Sequence, residues 1–164
     1  MKKHESMRGY FAYRLHTLME DENIYLLYGD LGYGMLDQLI EDYPERCINT
    51  GAAEQVMLDI AIGLALEDKI PVVYSITPFL LYRGFESLRT YINHEKIKVK
   101  LIGGGRDYDY KHDGISHFAH DDQLFMQHFE NIKSFYPSRK EDLTYNFVRE
   151  VLYNDKPTYL NLKR

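Results

Sequence analysis

The chain has 164 residues, 45% hydrophobic and 27% charged, which is enough for one well-formed core and excludes a disordered chain. A net charge of −5 argues against a nucleic-acid surface, which carries a basic excess. Cys47 is the only cysteine, so no internal disulfide can form, and no apolar run reaches the length of a membrane span; a reducing, cytoplasmic setting is expected.

Residues 5–21 predict a helix with Met7, Phe11, Leu15 and Leu18 on one face. Met1, Lys2, Lys3 and His4 lead into it, and Arg8, Arg14 and His16 interrupt it, so the uninterrupted apolar core of a signal peptide is missing. Residues 24–28 are a short apolar run ending in Gly29-Asp30, the pattern of a buried strand feeding a loop. Residues 35–43 read as a helix stopped by Pro44, and 46–49 as a second strand that carries Cys47 as a small hydrophobe. In the long helix predicted over 52–68, Ala53, Val56, Met57, Ile60, Ala61 and Leu64 form one stripe, and Leu58, Ile62 and Ala65 fill much of the rest. A strand over 71–76, a helix over 79–94 and a strand over 99–103 follow. Lys96, Lys98 and Lys100 alternate with Ile97 and Val99, as on a solvated edge. After a polar loop, residues 121–129, 132–136, 139–154 and 158–162 continue as helix, strand, helix, strand.

Strands alternating with helices imply right-handed crossovers and a three-layer α/β fold, a mostly parallel sheet with helices on both faces. Neither repeat nor flexible linker divides residues 1–164, so one domain is expected. Ligands of such sheets bind beyond the carboxyl ends of the strands. Asp30 and residues 51–54, 77–79 and 103–120 lie there.

Glu54 stands in the first turn of an otherwise apolar helix. It is either a solvated helix start favoured by the dipole or a buried functional group, and spacing alone favours the first, because acids are enriched in first turns. The loop 107–122 holds His112, His117 and His120 with Asp113, Asp121 and Asp122, but its spacing is not a zinc pattern, and no metal site is expected. The glycine-rich segments at 29–34 and 103–105 lack the spacing of a dinucleotide fingerprint and the Lys-Ser/Thr of a phosphate loop, so they read as tight strand-to-loop turns.

Asn49-Thr50-Gly51-Ala52-Ala53-Glu54-Gln55 resembles the Asn-x-Gly-x-Ala-Glu-Gln signature of the pyrimidine-binding domain of the transketolase family. Asp30-Leu31, Phe79 with Arg83-Gly84-Phe85-Glu86, and Asp113-Gly114-Ile115-Ser116-His117 follow in that family's order, and the terminal segment 156–164 resembles its closing strand. The similarity spans residues 24–164 and implies the thiamine-diphosphate-binding fold. It also reverses the reading of Glu54, whose carboxyl is implied to share a proton with the aminopyrimidine of thiamine diphosphate. Phe79 and, more loosely, Tyr82 are implied to pack around that ring, although Ile76 stands where the family often has another aromatic. Asp30 matches the family's acid near the cofactor, Asp113 and His117 match the motif that reaches the substrate, and His117 becomes a candidate proton shuttle. His112 and His120 then read as solvated or structural.

The Gly-Asp-Gly segment and downstream Asn that hold magnesium and the diphosphate in this family do not occur in the sequence, nor does the third domain of ordinary transketolases. The resemblance therefore implies one subunit of a split enzyme, paired as α2β2 with a diphosphate-binding subunit that supplies the Mg²⁺ ligands. Such an enzyme transfers a two-carbon ketol unit between sugar-like compounds. A decarboxylating carboligase of the deoxyxylulose-phosphate synthase type is the alternative within the cofactor class, and a non-catalytic α/β partner the alternative outside it. The β subunits of 2-oxo acid dehydrogenases fit less well, since their equivalent segment runs Pro-x-x-Glu.

Overall fold

The computed structural model describes residues 5–164; residues 1–4, read above as the lead into the first helix, lie outside the described residues. The elements are α1 (Met7–Leu18), β1 (Ile24–Tyr28), α2 (Asp37–Asp42), β2 (Cys47–Asn49), α3 (Glu54–Leu66), β3 (Ile70–Ile76), α4 (Phe85–Ser87), β4 (Lys100–Gly104), α5 (Asp122–Met126), β5 (Lys133–Phe135), α6 (Tyr145–Leu152) and β6 (Thr158–Leu162). All strands pair in parallel, in the order β2-β1-β3-β4-β6-β5.

The sheet is buried from both sides, which explains why its strands read as nearly continuous apolar runs. Successive side chains point to opposite faces. Leu27, Val73, Leu101 and Tyr159 stand in one row across four strands and pack under Met57, Leu58, Ala61, Leu80 and Phe129. The neighbouring positions Leu26, Val72, Ile102 and Leu160 face the opposite layer, where α1 and α6 contribute Phe11, Leu15, Val148 and Val151.

Four details differ from the sequence reading. The helix expected over 79–94 is wound wide: π-turns at Phe79–Arg83 and Leu88–His94 flank the short α4. Between them Gly84 lies so close to α3 that a Cβ there would sit 2.2 Å from Leu58 Cδ1. The helix expected over 139–154 begins as a 3₁₀ turn, Lys140–Asp142, because the Asp142 carboxylate accepts from the backbone N–H groups of Ser138 and Arg139. The α-helix starts only where the Thr144 hydroxyl accepts from the Phe147 N–H and caps it. Lys100 is not on a solvated edge: β4 is a central strand, and the buried ammonium turns in to donate to the carbonyls of Asn154 and Lys156 at 2.7 and 2.9 Å. Along α3, Met57, Leu58, Ala61 and Ile62 enter the core, while Val56 and Ile60 of the expected stripe are exposed, together with Leu66. Cys47 behaves as a small half-buried hydrophobe whose thiol is pushed up to about 11 by burial.

Candidate active site

The loops that follow β1, β2, β3 and β4 meet at the carboxyl end of the sheet. Asn49, the last residue of β2, ties two of them together: its side-chain oxygen accepts from the backbone N–H of Asp30 at 3.0 Å and of Gly51 at 2.9 Å. Gly51 takes φ +67°, a left-handed turn that favours glycine. Gly29 lies so close to that turn that a Cβ there would sit 2.8 Å from the Gly51 carbonyl oxygen and 3.6 Å from Glu54 Oε1. The Asn-x-Gly spacing thus builds the turn that delivers Glu54 to the first position of α3.

Glu54 is not a solvated helix start, since only 2% of its side chain is exposed. Its carboxylate gains from the positive end of α3 and from two donors. The Ser75 hydroxyl, on β3, donates to Oε1 at 3.1 Å, and Arg83 Nη1 donates to Oε2 at 2.8 Å. Arg83 also sits over Phe79, its Cζ 3.7 Å from the ring centroid. On another side, His117 makes an edge contact with the Phe79 ring at 4.8 Å. Glu54, Arg83, Phe79 and His117 therefore form one contiguous run from the root of α3 to the loop after β4.

The remaining expected residues sit around this run. Asp30 is exposed at the rim and accepts from the Tyr33 hydroxyl at 2.9 Å; with Tyr28, Leu31, Ile40 and Asn49 it lines a cleft of about 340 Å³. Asp113 shares the His117 loop but faces His112, with 3.3 Å between Nε2 and Oδ2. His117 Nδ1 is 3.0 Å from the Ser116 hydroxyl. Tyr82 turns toward α5, its hydroxyl donating to Asp121 at 2.5 Å and its ring edge-on to Phe125; burial, then the Asp121 carboxylate, holds its phenol above the ordinary value. His120 stacks on Tyr108. Among the described residues no three His, Cys, Asp or Glu side chains converge in a way that could hold a metal ion.

Sequence reasoning gave no role to Ser75, to the Arg83 side chain or to a buried network beneath the His117 loop. Asn161, fully buried in β6, accepts from Arg106 Nε at 2.6 Å and donates to Asp122 Oδ2 at 2.8 Å. Tyr159 donates to the same carboxylate oxygen at 2.7 Å, and Arg106 adds bonds to the carbonyls of Asn161 and Pro137. Burial raises the Asp122 carboxyl, against the Tyr159 hydrogen bond. Because Arg106 opens the loop and Asp122 closes it, one buried amide fastens both ends. The visible signals were polar residues inside apolar strands: Ser75 within Val72-Val73-Tyr74-Ser75-Ile76, and Asn161 between Leu160 and Leu162.

Comparison with known proteins shows the family and the fold. Residues 5–164 match the family model described as transketolase, pyrimidine binding domain. A putative transketolase C-terminal section from Methanocaldococcus jannaschii is 28% identical over 158 residues, which are 96% of this chain and 50% of that protein. A 1-deoxy-D-xylulose-5-phosphate synthase from Fusobacterium nucleatum is 30% identical over 146 residues, 88% of this chain and 24% of that one. A solved structure described as a split gene transketolase, inactive β4 tetramer, superposes with a TM-score of 0.83 at 28% identity, covering 97% of this chain and 51% of its own. The chain thus spans about half of the putative transketolase section and of the split-gene transketolase, and about a quarter of the synthase. With the family model matching nearly the whole chain and the Asn49–Glu54 turn built as described, this protein belongs to the transketolase pyrimidine-binding domain family.

Proposed function

We propose that residues 1–164 form one pyrimidine-binding domain, the pyrimidine half of a split, cytoplasmic, thiamine-diphosphate-dependent transketolase-like enzyme. The enzyme transfers a two-carbon ketol unit between sugar-like carbonyl compounds and assembles as α2β2 with a diphosphate-binding subunit. The observation that carries this reading is the burial of Glu54, linked through Arg83 to the Phe79 ring, at the end of the sheet where ligands of parallel α/β folds bind.

The residues present fit the pyrimidine end of the cofactor: a buried carboxylate, an aromatic face, and a tight turn of Gly29 against Gly51 that holds Glu54 at the root of α3. The sequence offers no Gly-Asp-Gly segment for magnesium and diphosphate, so in our reading those ligands come from the second subunit. Thiamine diphosphate, when bound, supplies the carbanion-stabilising chemistry of the reaction. Glu54 holds and passes a proton at its carboxylate while Ser75 fixes the position of Oε1. Phe79 provides the apolar face, with Tyr82 and Asp30 at the margins of the subsite. His117 presents an imidazole to the substrate's hydroxyl or carbonyl oxygen, and Asp113 orients a hydroxyl near the reacting carbon.

The outer face of α3 supports the partner. Val56, Ile60 and Leu66 are exposed there, Gly63 has open space where a Cβ would stand, and Phe85 and Tyr91 extend the apolar surface. The similarity to a deoxyxylulose-phosphate synthase over 88% of this chain favours, as the second reading, a carboligase that uses a 2-oxo acid donor. Reconstitution with the co-purifying subunit, thiamine diphosphate and magnesium, followed by assay with a ketose and with a 2-oxo acid, separates the two. A cofactor circular-dichroism band that never develops would count against both.

A further inference from the structure

Arg83 does two things at once. It donates to the Glu54 oxygen that Ser75 leaves open, and it covers a face of Phe79. These are the two groups that the pyrimidine reading requires. A guanidinium is a flat, delocalised cation that stacks on aromatic rings and donates in-plane N–H groups to carboxylates. An aminopyrimidine has the same recognition chemistry, a flat face with in-plane nitrogen groups. Glu54 Oε2 and that face of Phe79 cannot serve both planar groups in the same position.

We propose that Arg83 is a gate on the pyrimidine subsite: in the unliganded chain its guanidinium stands in for the aminopyrimidine ring against Glu54 and Phe79, and it swings into solvent when the ring enters. The proposal rests on the assignment of Glu54 and Phe79 to the cofactor. Three features build the gate. A carboxylate this buried is costly without a partner, so the unliganded chain needs a resident cation. The Arg83 side chain is 46% exposed, against 2% for Glu54, so it has open space to leave through. Phe79 and Arg83 stand four residues apart on one helical turn, the spacing at which side chains are neighbours, and Gly84 lets the segment press onto the helix that carries Glu54.

A site open only part of the time binds with its affinity reduced by that fraction, so removing the gate tightens binding. The test is a nuclear magnetic resonance titration of the full chain with 4-amino-2-methylpyrimidine, using wild type, Arg83→Gln and Glu54→Gln. In wild type the Arg83 Nε–H signal should move to the position of exposed arginines as the probe saturates. Arg83→Gln should bind about tenfold more tightly, and Glu54→Gln should lose binding. If the glutamine variant does not fold, Arg83→Lys keeps the charge without the stacking plane and should bind more tightly than wild type. Unchanged or weaker binding on replacing Arg83, with binding still lost in Glu54→Gln, overturns the gate and leaves the pyrimidine assignment standing. Binding indifferent to Glu54→Gln, or none by any chain at millimolar probe, overturns the assignment and the gate with it.

Discussion

Replacing Asn161 by leucine should loosen the loop that carries Asp113 and His117, although neither residue touches it. Leucine nearly matches the shape of asparagine but can neither accept from Arg106 Nε nor donate to Asp122 Oδ2, contacts of 2.6 and 2.8 Å in the buried network. Arg106 keeps its bonds to two carbonyls, and Asp122 keeps the Tyr159 hydroxyl. Two hydrogen bonds to charged groups are lost, each contributing about 1.5–3 kcal/mol, so the loss is roughly 3–6 kcal/mol. That is a large share of the ~5–15 kcal/mol that stabilises an ordinary domain. Urea unfolding should show a lower midpoint at unchanged slope. Hydrogen exchange in residues 106–121, measured at a temperature where the variant stays folded, should rise more than in β1 or β3. Asn161→Asp should be no better, since it sets a second carboxylate against Asp122. A loss below about 1 kcal/mol, with loop exchange unchanged, would refute the claim that one amide fastens both ends of the loop.

Other outcomes follow from single contacts. Burial, with Lys98 adding to it, pushes the Lys100 ammonium down to about 8 from its ordinary 10.5. Between those values the unfolded chain binds more protons than the folded one, so this group makes stability rise with pH, by about 3 kcal/mol over the window. The thiol of Cys47 acts in the opposite direction above pH 9, so the test is the difference in slope between wild type and Lys100→Met; parallel curves would discard it. In the assembled enzyme, His117→Ala should lower turnover by about 10²–10⁴-fold with the cofactor's dichroism band retained, and zinc-selective chelators should change nothing. Gly29→Ala places a methyl 2.8 Å from the Gly51 carbonyl oxygen and should cost about 1–3 kcal/mol; an equally stable variant would show that this approach is not tight.

The strand-helix alternation was legible because each strand is buried on both faces and so reads as an apolar run, and the Thr158–Leu162 strand falls where its pattern places it. The segment after Phe79 was harder. Its apolar residues fit a helical period, which does not tell an α-turn from a π-turn, and the close approach of Gly84 to Leu58 between the two π-turns is a tertiary contact that spacing along the chain does not show. Lys100 was misread because an alternating lysine run looks solvated until the strand's place in mid-sheet is known. In the site, Glu54 stood out by motif, but its charge partner did not. Arg83 is 29 residues away, and only the packing of the β3 crossover brings the two to 2.8 Å. Spacing along a sequence reports neighbours on one helix and says nothing of a cation delivered from the next.

The central claim is that this chain holds half of a thiamine diphosphate site. Titration calorimetry of thiamine diphosphate with magnesium, into the chain alone and into its complex with the co-purifying subunit, tests it most directly. The account predicts no micromolar binding by the chain alone, and micromolar, magnesium-dependent binding by the complex that is lost with Glu54→Ala. Micromolar, magnesium-dependent binding by a monodisperse monomer, about −8 kcal/mol, would contradict it.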